Sequence, residues 1–226
     1  MLRAKMTAAL ALAASGVAMP VLAADAVNHG LGVSVGVTGG TNGLGLEAGY
    51  RFTNYLGIRA NSGNFTYNKS FDSNDFNIDG KARLKSIGGL VDVYPFGGSF
   101  RVSVGMRSNK NQFGGVASPN GTTVEVGDDT YPSSAVGDLT GAAKFKKNAP
   151  TATIGWGGNF KTGLHFGFEV GVVAQGSPKL SATSSGSLAN NPAFQQSLAD
   201  QLSEWEDDSK DYKLWPVVQL NLVYRF

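Results

Sequence analysis

The chain has 226 residues, 31 of them glycine and none cysteine, with 16% charged residues and a formal net charge of +2 at pH 7. Without cysteine, structural disulfides and a lipoprotein anchor are excluded. No apolar stretch reaches the ~20 residues of a membrane-spanning helix, and the charge balance gives no support for a nucleic-acid partner.

Met1 to Ala24 has the build of a secretory signal peptide. Arg3 and Lys5 make a positive start, Ala8 to Val17 a short apolar run, and small residues close it near Ala23 or Ala24. Its removal would leave residues 25–226 as one domain with equal numbers of acidic and basic side chains. Glycine at about twice the usual ~7%, with charge below the usual ~25%, suits a β-barrel that is apolar outside and small or polar inside.

A period of two marks strands, because alternate side chains face opposite sides of a sheet. The first expected strand, Leu31 to Val37, sends Val33, Val35 and Val37 one way. After a tight turn at Gly39 to Gly43, the second runs from Leu44 to Phe52. It has Leu44, Leu46, Ala48, Tyr50 and Phe52 outward, with Glu47 and Arg51 inward. The third opposes Leu56, Ile58 and Ala60 to Gly57, Arg59 and Asn61, and a polar loop is expected from Asn64 to Gly80. The fourth, Lys81 to Tyr94, puts Ile87, Val91 and Val93 on one face. Leu84 has the opposite parity, which predicts a bulge near Ser86.

The fifth strand alternates Phe100, Val102, Val104 and Met106 with Arg101, Ser103, Gly105 and Arg107. A long loop from Ser108 to about Ala142 then holds a small hairpin, Val124 to Val126 against Thr130 and Tyr131. The sixth, Lys144 to Gly157, is interrupted at Pro150, where a second bulge is expected. The seventh alternates Leu164, Phe166, Phe168, Val170 and Val172 with His165, Gly167, Glu169 and Gly171. A last insertion, Gln175 to Asp211, carries one helical pattern: Asn191 as N-cap, Pro192 first, then Phe194, Leu198, Leu202 and Trp205. Its expected place is against the barrel rim. Glu204, Glu206, Asp207 and Asp208 oppose the dipole at its C-terminus and are expected to fray it.

The final strand, Leu214 to Phe226, sets Val218, Leu220, Leu222, Tyr224 and Phe226 on one apolar face. It resembles the terminal strand of Gram-negative outer-membrane barrels, and the chain as a whole resembles the small OmpA-like and OmpX-like family. No peptidoglycan-binding domain follows the barrel pattern, so that part of OmpA-type function is not carried over. The resemblance and the strand count imply an all-β fold, an eight-stranded antiparallel up-and-down transmembrane barrel with a short helix in the last external loop. Both termini would lie in the periplasm. The resemblance further implies that Val218, Leu220, Leu222, Tyr224 and Phe226 are read by the barrel-assembly machinery, with periplasmic chaperones as partners.

Motifs for chemistry are weak. Gly43 to Ala48 matches G-x-G-x-x-A but lies inside an alternating strand with no strand–helix unit, so no dinucleotide site follows. Asp75 to Gly80 matches the first half of a calcium loop, yet Ser86 stands where a bidentate Glu is needed, and a solvated acidic loop is the expectation. His29 and His165 join no Ser/acid set at one membrane depth, so no catalytic residue, metal or cofactor is expected.

Glu47, Arg51, Arg59, Asp92, Arg101, Arg107, Glu169 and Arg225 all point inward, mixed in sign, in a barrel just wide enough for side chains to fill. Charges in so dry a place must pair or stay hydrated. The turn shared by the fourth and fifth strands makes Asp92 and Arg101 one expected ion pair. At the external strand ends, Lys81, Arg83, Lys85, Lys144, Lys146 and Lys147, with Arg107 and Lys110, form an expected lipopolysaccharide-contacting rim. Its alternative is a solvated rim of mixed charge. The leading expectation is a non-enzymatic, monomeric outer-membrane protein whose external loops carry surface interactions. A narrow passive channel is the alternative, and an outer-membrane lipid hydrolase or protease stands third.

Overall fold

The computed structural model describes residues 32–72, 76–157 and 161–226, so the expected signal peptide and His29 lie outside the described residues. Strands β1 (Val33–Gly40), β2 (Gly43–Arg51), β3 (Leu56–Asp72), β4 (Phe76–Val93) and β5 (Phe100–Asn109) come first. Then follow β6 (Gln112–Pro119), β7 (Thr123–Val126), β8 (Asp129–Pro132), the single-turn helix α1 (Ser133–Val136), β9 (Leu139–Lys144), β10 (Asn148–Trp156) and β11 (Gly163–Ala174). The chain closes with β12 (Lys179–Ser184), a 3-10 turn (Ser187–Asn190), helix α2 (Pro192–Ser209) and β13 (Leu214–Arg225).

Eleven strands share one antiparallel sheet, and β7 and β8 form a separate hairpin. The sequential ladder β1–β2–β3–β4–β5 continues through β10, β11 and β13, and β13 pairs with β1, so the ladder returns to its start. Three more strands extend the sheet above this barrel wall. β6 takes over the edge of β4 at Arg83↔Gln112, past the Ser86↔Asn109 pair where β5 ends. β9 pairs with β6, and β12 with β9.

Burial is inverted relative to a water-soluble core. Phe166 is 75% exposed and Leu44 69%, whereas Glu169 is 1% exposed and Arg59 5%. The apolar face of each wall strand points out and the polar face in, which is the alternation read from the sequence. A barrel of this kind asks for hydrocarbon around it.

Several expectations fail in instructive ways. The sheet has eleven strands rather than eight, because the long loops contain paired strands of their own. The expected polar loop from Asn64 to Gly80 is instead the far half of a hairpin in which Phe65↔Leu84 and Phe71↔Ile78 still pair. Pairing with β3 and β6 keeps residues 76–80 extended, so they do not wrap an ion; Asp75 lies outside the described residues. No bulge forms at Ser86, since β4 alternates without a break and Leu84 points inward in phase with Ser86, Leu90 and Asp92. The register past Pro150 is also continuous, from Asn148↔Ser108 to Trp156↔Phe100. Pro150 is tolerated because the β11 ladder begins beyond it, at Thr151↔Val173. The expected sixth strand is β10, starting at Asn148 rather than Lys144; residues 145–147 link it to β9, which lies largely in the expected loop.

Above the barrel sits a second, conventional core. Val124 and Val126 of β7, Val136 of α1 and Phe194 and Leu198 of α2 are buried together, with Phe76, Leu139 and Ala182 of the sheet extension packed against them. The hairpin and the helix occur where expected. Asn191 accepts from the Ala193 and Phe194 backbone N–H groups at 3.0 and 3.2 Å, the expected cap. The helix packs on this extension rather than on the barrel rim. It also does not fray, since the acidic run is tied down: Glu206 accepts from the Leu180 N–H of β12 at 2.7 Å.

Candidate functional site

The inward faces of the wall strands converge on Arg59. Its Nη1 lies 3.0 Å from a Glu47 oxygen and 2.6 Å from Glu169, and its Nε 3.1 Å from Asp92. The carboxylates come from β2, β11 and β4. Ser103 donates to Asp92 at 2.6 Å, and Asn221 to Glu47 at 2.9 Å, so most of the remaining lone pairs are satisfied. Such a network keeps charge in a dry interior because each ion is both paired and hydrogen-bonded.

The expected Asp92–Arg101 pair does not form. Asp92 faces Ser103 in register and is held by Arg59, whereas Arg101 reaches the other way, to Glu169 at 2.7 Å. Gly155 of β10 stands opposite both Arg101 and Glu169. Having no side chain, it leaves a path across β10; a Cβ there would sit 3.5 Å from the Arg101 Nε.

Other inward residues close the two ends. At the short-turn end, the Arg51 guanidinium lies 3.6 Å over the Tyr94 ring. It donates to the carbonyls of Asn54, Gly97 and Gly98 at 2.5 to 3.0 Å, which ties two neighbouring turns together. Between the charged residues remains a cavity of about 20 Å³, room for one water by the usual measure. Further up, Arg107 points inward as expected and bonds Asn61 and Ser86 at 2.7 and 3.0 Å. Above it Ala149, Val173 and Val217 form an apolar layer against Trp215.

Trp215 packs on that layer; Phe113 meets it tilted and Phe145 meets Phe113 edge-on, with ring centroids about 6 Å apart, and the Trp215 indole N–H donates to the Thr41 carbonyl at 3.2 Å. Sequence reading missed this aromatic cluster, because Phe113 lies in the expected long loop and Phe145, inside the expected sixth strand, belongs to the link between β9 and β10. His165 bonds the Lys161 carbonyl at 2.7 Å, in keeping with a structural filler. Among the described residues, no cluster of His, Cys, Asp and Glu could hold a metal ion.

The expected basic rim divides. Lys81, Arg83 and Lys85 lie on the outward face of β4 and Lys144 at the end of β9, all exposed. Lys147 and Lys146 belong to the link before β10, and the Lys146 stem lies against Gly176. On the outward face of β13, Val218, Leu220 and Tyr224 are exposed at 42%, 65% and 44%, as is Phe226 just beyond it at 50%, and Leu222 shares their parity.

No family model and no curated protein matches the sequence. The fold is similar to that of two crystal structures from Acinetobacter baumannii. CarO2 aligns with a TM-score of 0.59 at 20% identity, over 88% of this chain and 100% of that one. CarO aligns with a TM-score of 0.58 at 18% identity, over the same 88% and 100%. The likeness is one of fold.

Proposed function

We propose that this protein is an integral outer-membrane β-barrel whose lumen is sealed and whose external cap is the working surface. The barrel is the eight-stranded ring of β1–β5, β10, β11 and β13, with both termini and the short turns in the periplasm. The sheet extension and α2 stand outside the cell. Secretion by the leader, delivery by periplasmic chaperones, insertion by the barrel-assembly machinery reading Val218 to Phe226, and a monomeric state belong to the same reading. So does the absence of catalysis.

The observation that carries it is the lumen, where a network centred on Arg59 crosses the barrel from β2, β4 and β11, with a cavity of only about 20 Å³ beside it. A narrow channel is the second reading. Thr38, Asn109, Thr153, Gln175 and Gln219 each bury a polar side-chain atom without a protein partner, and such groups call for water.

The orientation is directly testable because the chain has no cysteine of its own. Ala199→Cys in α2 should react with a membrane-impermeant maleimide on intact cells. Asn54→Cys in a short turn should react only after the outer membrane is permeabilised. Labelling of Asn54→Cys on intact cells, or failure of Ala199→Cys to label, would contradict the reading.

A further inference from the structure

The sheet extension brings together a basic row that no stretch of sequence contains. Arg83 of β4 pairs with Gln112 of β6, Gln112 with Lys144 of β9, and Lys144 with Lys179 of β12. Residues paired across a sheet share a face, so the four side chains stand side by side on the outward face. Lys85 lies one step below Arg83 on that face and Lys81 one step above. Lys179 sits in the insertion before α2, far from the others in sequence. Among the described residues, no carboxylate lies within ion-pairing distance of this row.

Two further features give the row a setting. On β4 the same outward face runs down into Ile87, Val91 and Val93, exposed at 61%, 46% and 38%, which is the hydrocarbon-facing wall. The charges therefore begin where the apolar band stops. Above them a groove of about 400 Å³ opens on the outward face, walled by Lys81, Arg83, Gln112 and Thr140, with the carboxylate of Asp79 at its upper end, one step above Lys81. Its floor is low because Gly114 and Ala142 occupy the row between the basic residues and Val116. Arg83 offers a planar fork and the lysines offer point charges, the two ways proteins hold phosphate.

We infer that this outward groove binds the phosphorylated sugar headgroup of an outer-leaflet glycolipid, lipopolysaccharide, with Arg83, Lys144 and Lys179 on its phosphates and Lys81 and Lys85 flanking. The inference rests on the barrel reading above, since the site faces lipid only if the wall below it is in a bilayer. Acyl chains would lie along Ile87, Val91 and Val93, and the sugars would enter the groove. Lys146 and Lys147, in the link outside the paired row, take no part.

The test uses the full mature chain refolded in phosphatidylethanolamine vesicles, with and without diphosphoryl lipid A. Wild type should melt at a higher temperature with diphosphoryl lipid A, and less of the gain should come from the monophosphoryl form. The triple variant R83Q/K144Q/K179Q should lose more than half of the gain, while K69Q/K210Q keeps it. A full gain in the triple variant would overturn the assignment, as would an equal gain from free inorganic phosphate. Should the triple variant not refold, lysine acylation of wild type decides: lipid A should shield Lys81, Lys85, Lys144 and Lys179 but not Lys69 or Lys210, and uniform reactivity would refute the site. Loss of the gel shift on heating would strike the barrel reading, whereas an intact shift with no lipid A effect strikes this inference alone.

Discussion

Arg59 contacts carboxylates from three strands, and its worth depends on all of them staying together. Taking one partner from a buried pair costs about 3–5 kcal/mol, because the other charge is left without compensation. Arg101→Met and Glu169→Gln should therefore each lower the unfolding free energy on that scale, and together lose less than their sum. The direct pair should couple by about 1–3 kcal/mol. Arg101→Met with Asp92→Asn should couple less than half as strongly, since those residues meet only through Arg59 and Glu169. Urea unfolding of the refolded variants in vesicles measures both cycles, and equal coupling would contradict the observed partners. Alternation alone revealed which charges face inward. It could not reveal the pairs, because Arg101 turns to Glu169 through the gap left by Gly155, and strand neighbours in space are set by register across the whole ring.

At the scale of elements, the cap is the part least legible in the sequence. The wall strands carry Val, Leu, Ile and Phe on one face, so their period of two is plain. The strands β6, β9 and β12 are built largely of Gly, Ala, Ser and Thr, and most of their side chains are neither fully buried nor strongly apolar. They give no period and read as loop. Helix α2 was legible through Asn191, Pro192 and its apolar spacing, although its partners were not. Phe194 is fully buried against Val124, Val126, Val136 and Tyr131. Phe194→Ala should cost the cap about 3–5 kcal/mol, the usual loss for a buried aromatic. Limited proteolysis should then cut the cap between β8 and α2 while the barrel keeps its heat-dependent gel shift. An unchanged digestion pattern would mean that the cap does not depend on this core.

On the scale of the whole molecule, a barrel with an apolar exterior carries three successive groups of inward side chains along its axis. Arg51 and Tyr94 tie the short turns, the Arg59 network fills the middle, and Trp215 with Phe113 and Phe145 lies toward the end away from the short turns. That the middle holds paired charges followed from the width of the barrel and the mixed signs of its inward residues. The aromatic cluster lay beyond what periodicity could reach. Sealing is the central claim, and conductance across a planar lipid bilayer tests it most directly. Purified, refolded protein should insert and give no discrete current steps at neutral pH. Reproducible single-channel steps from the wild-type protein would contradict the sealed lumen and favour the channel.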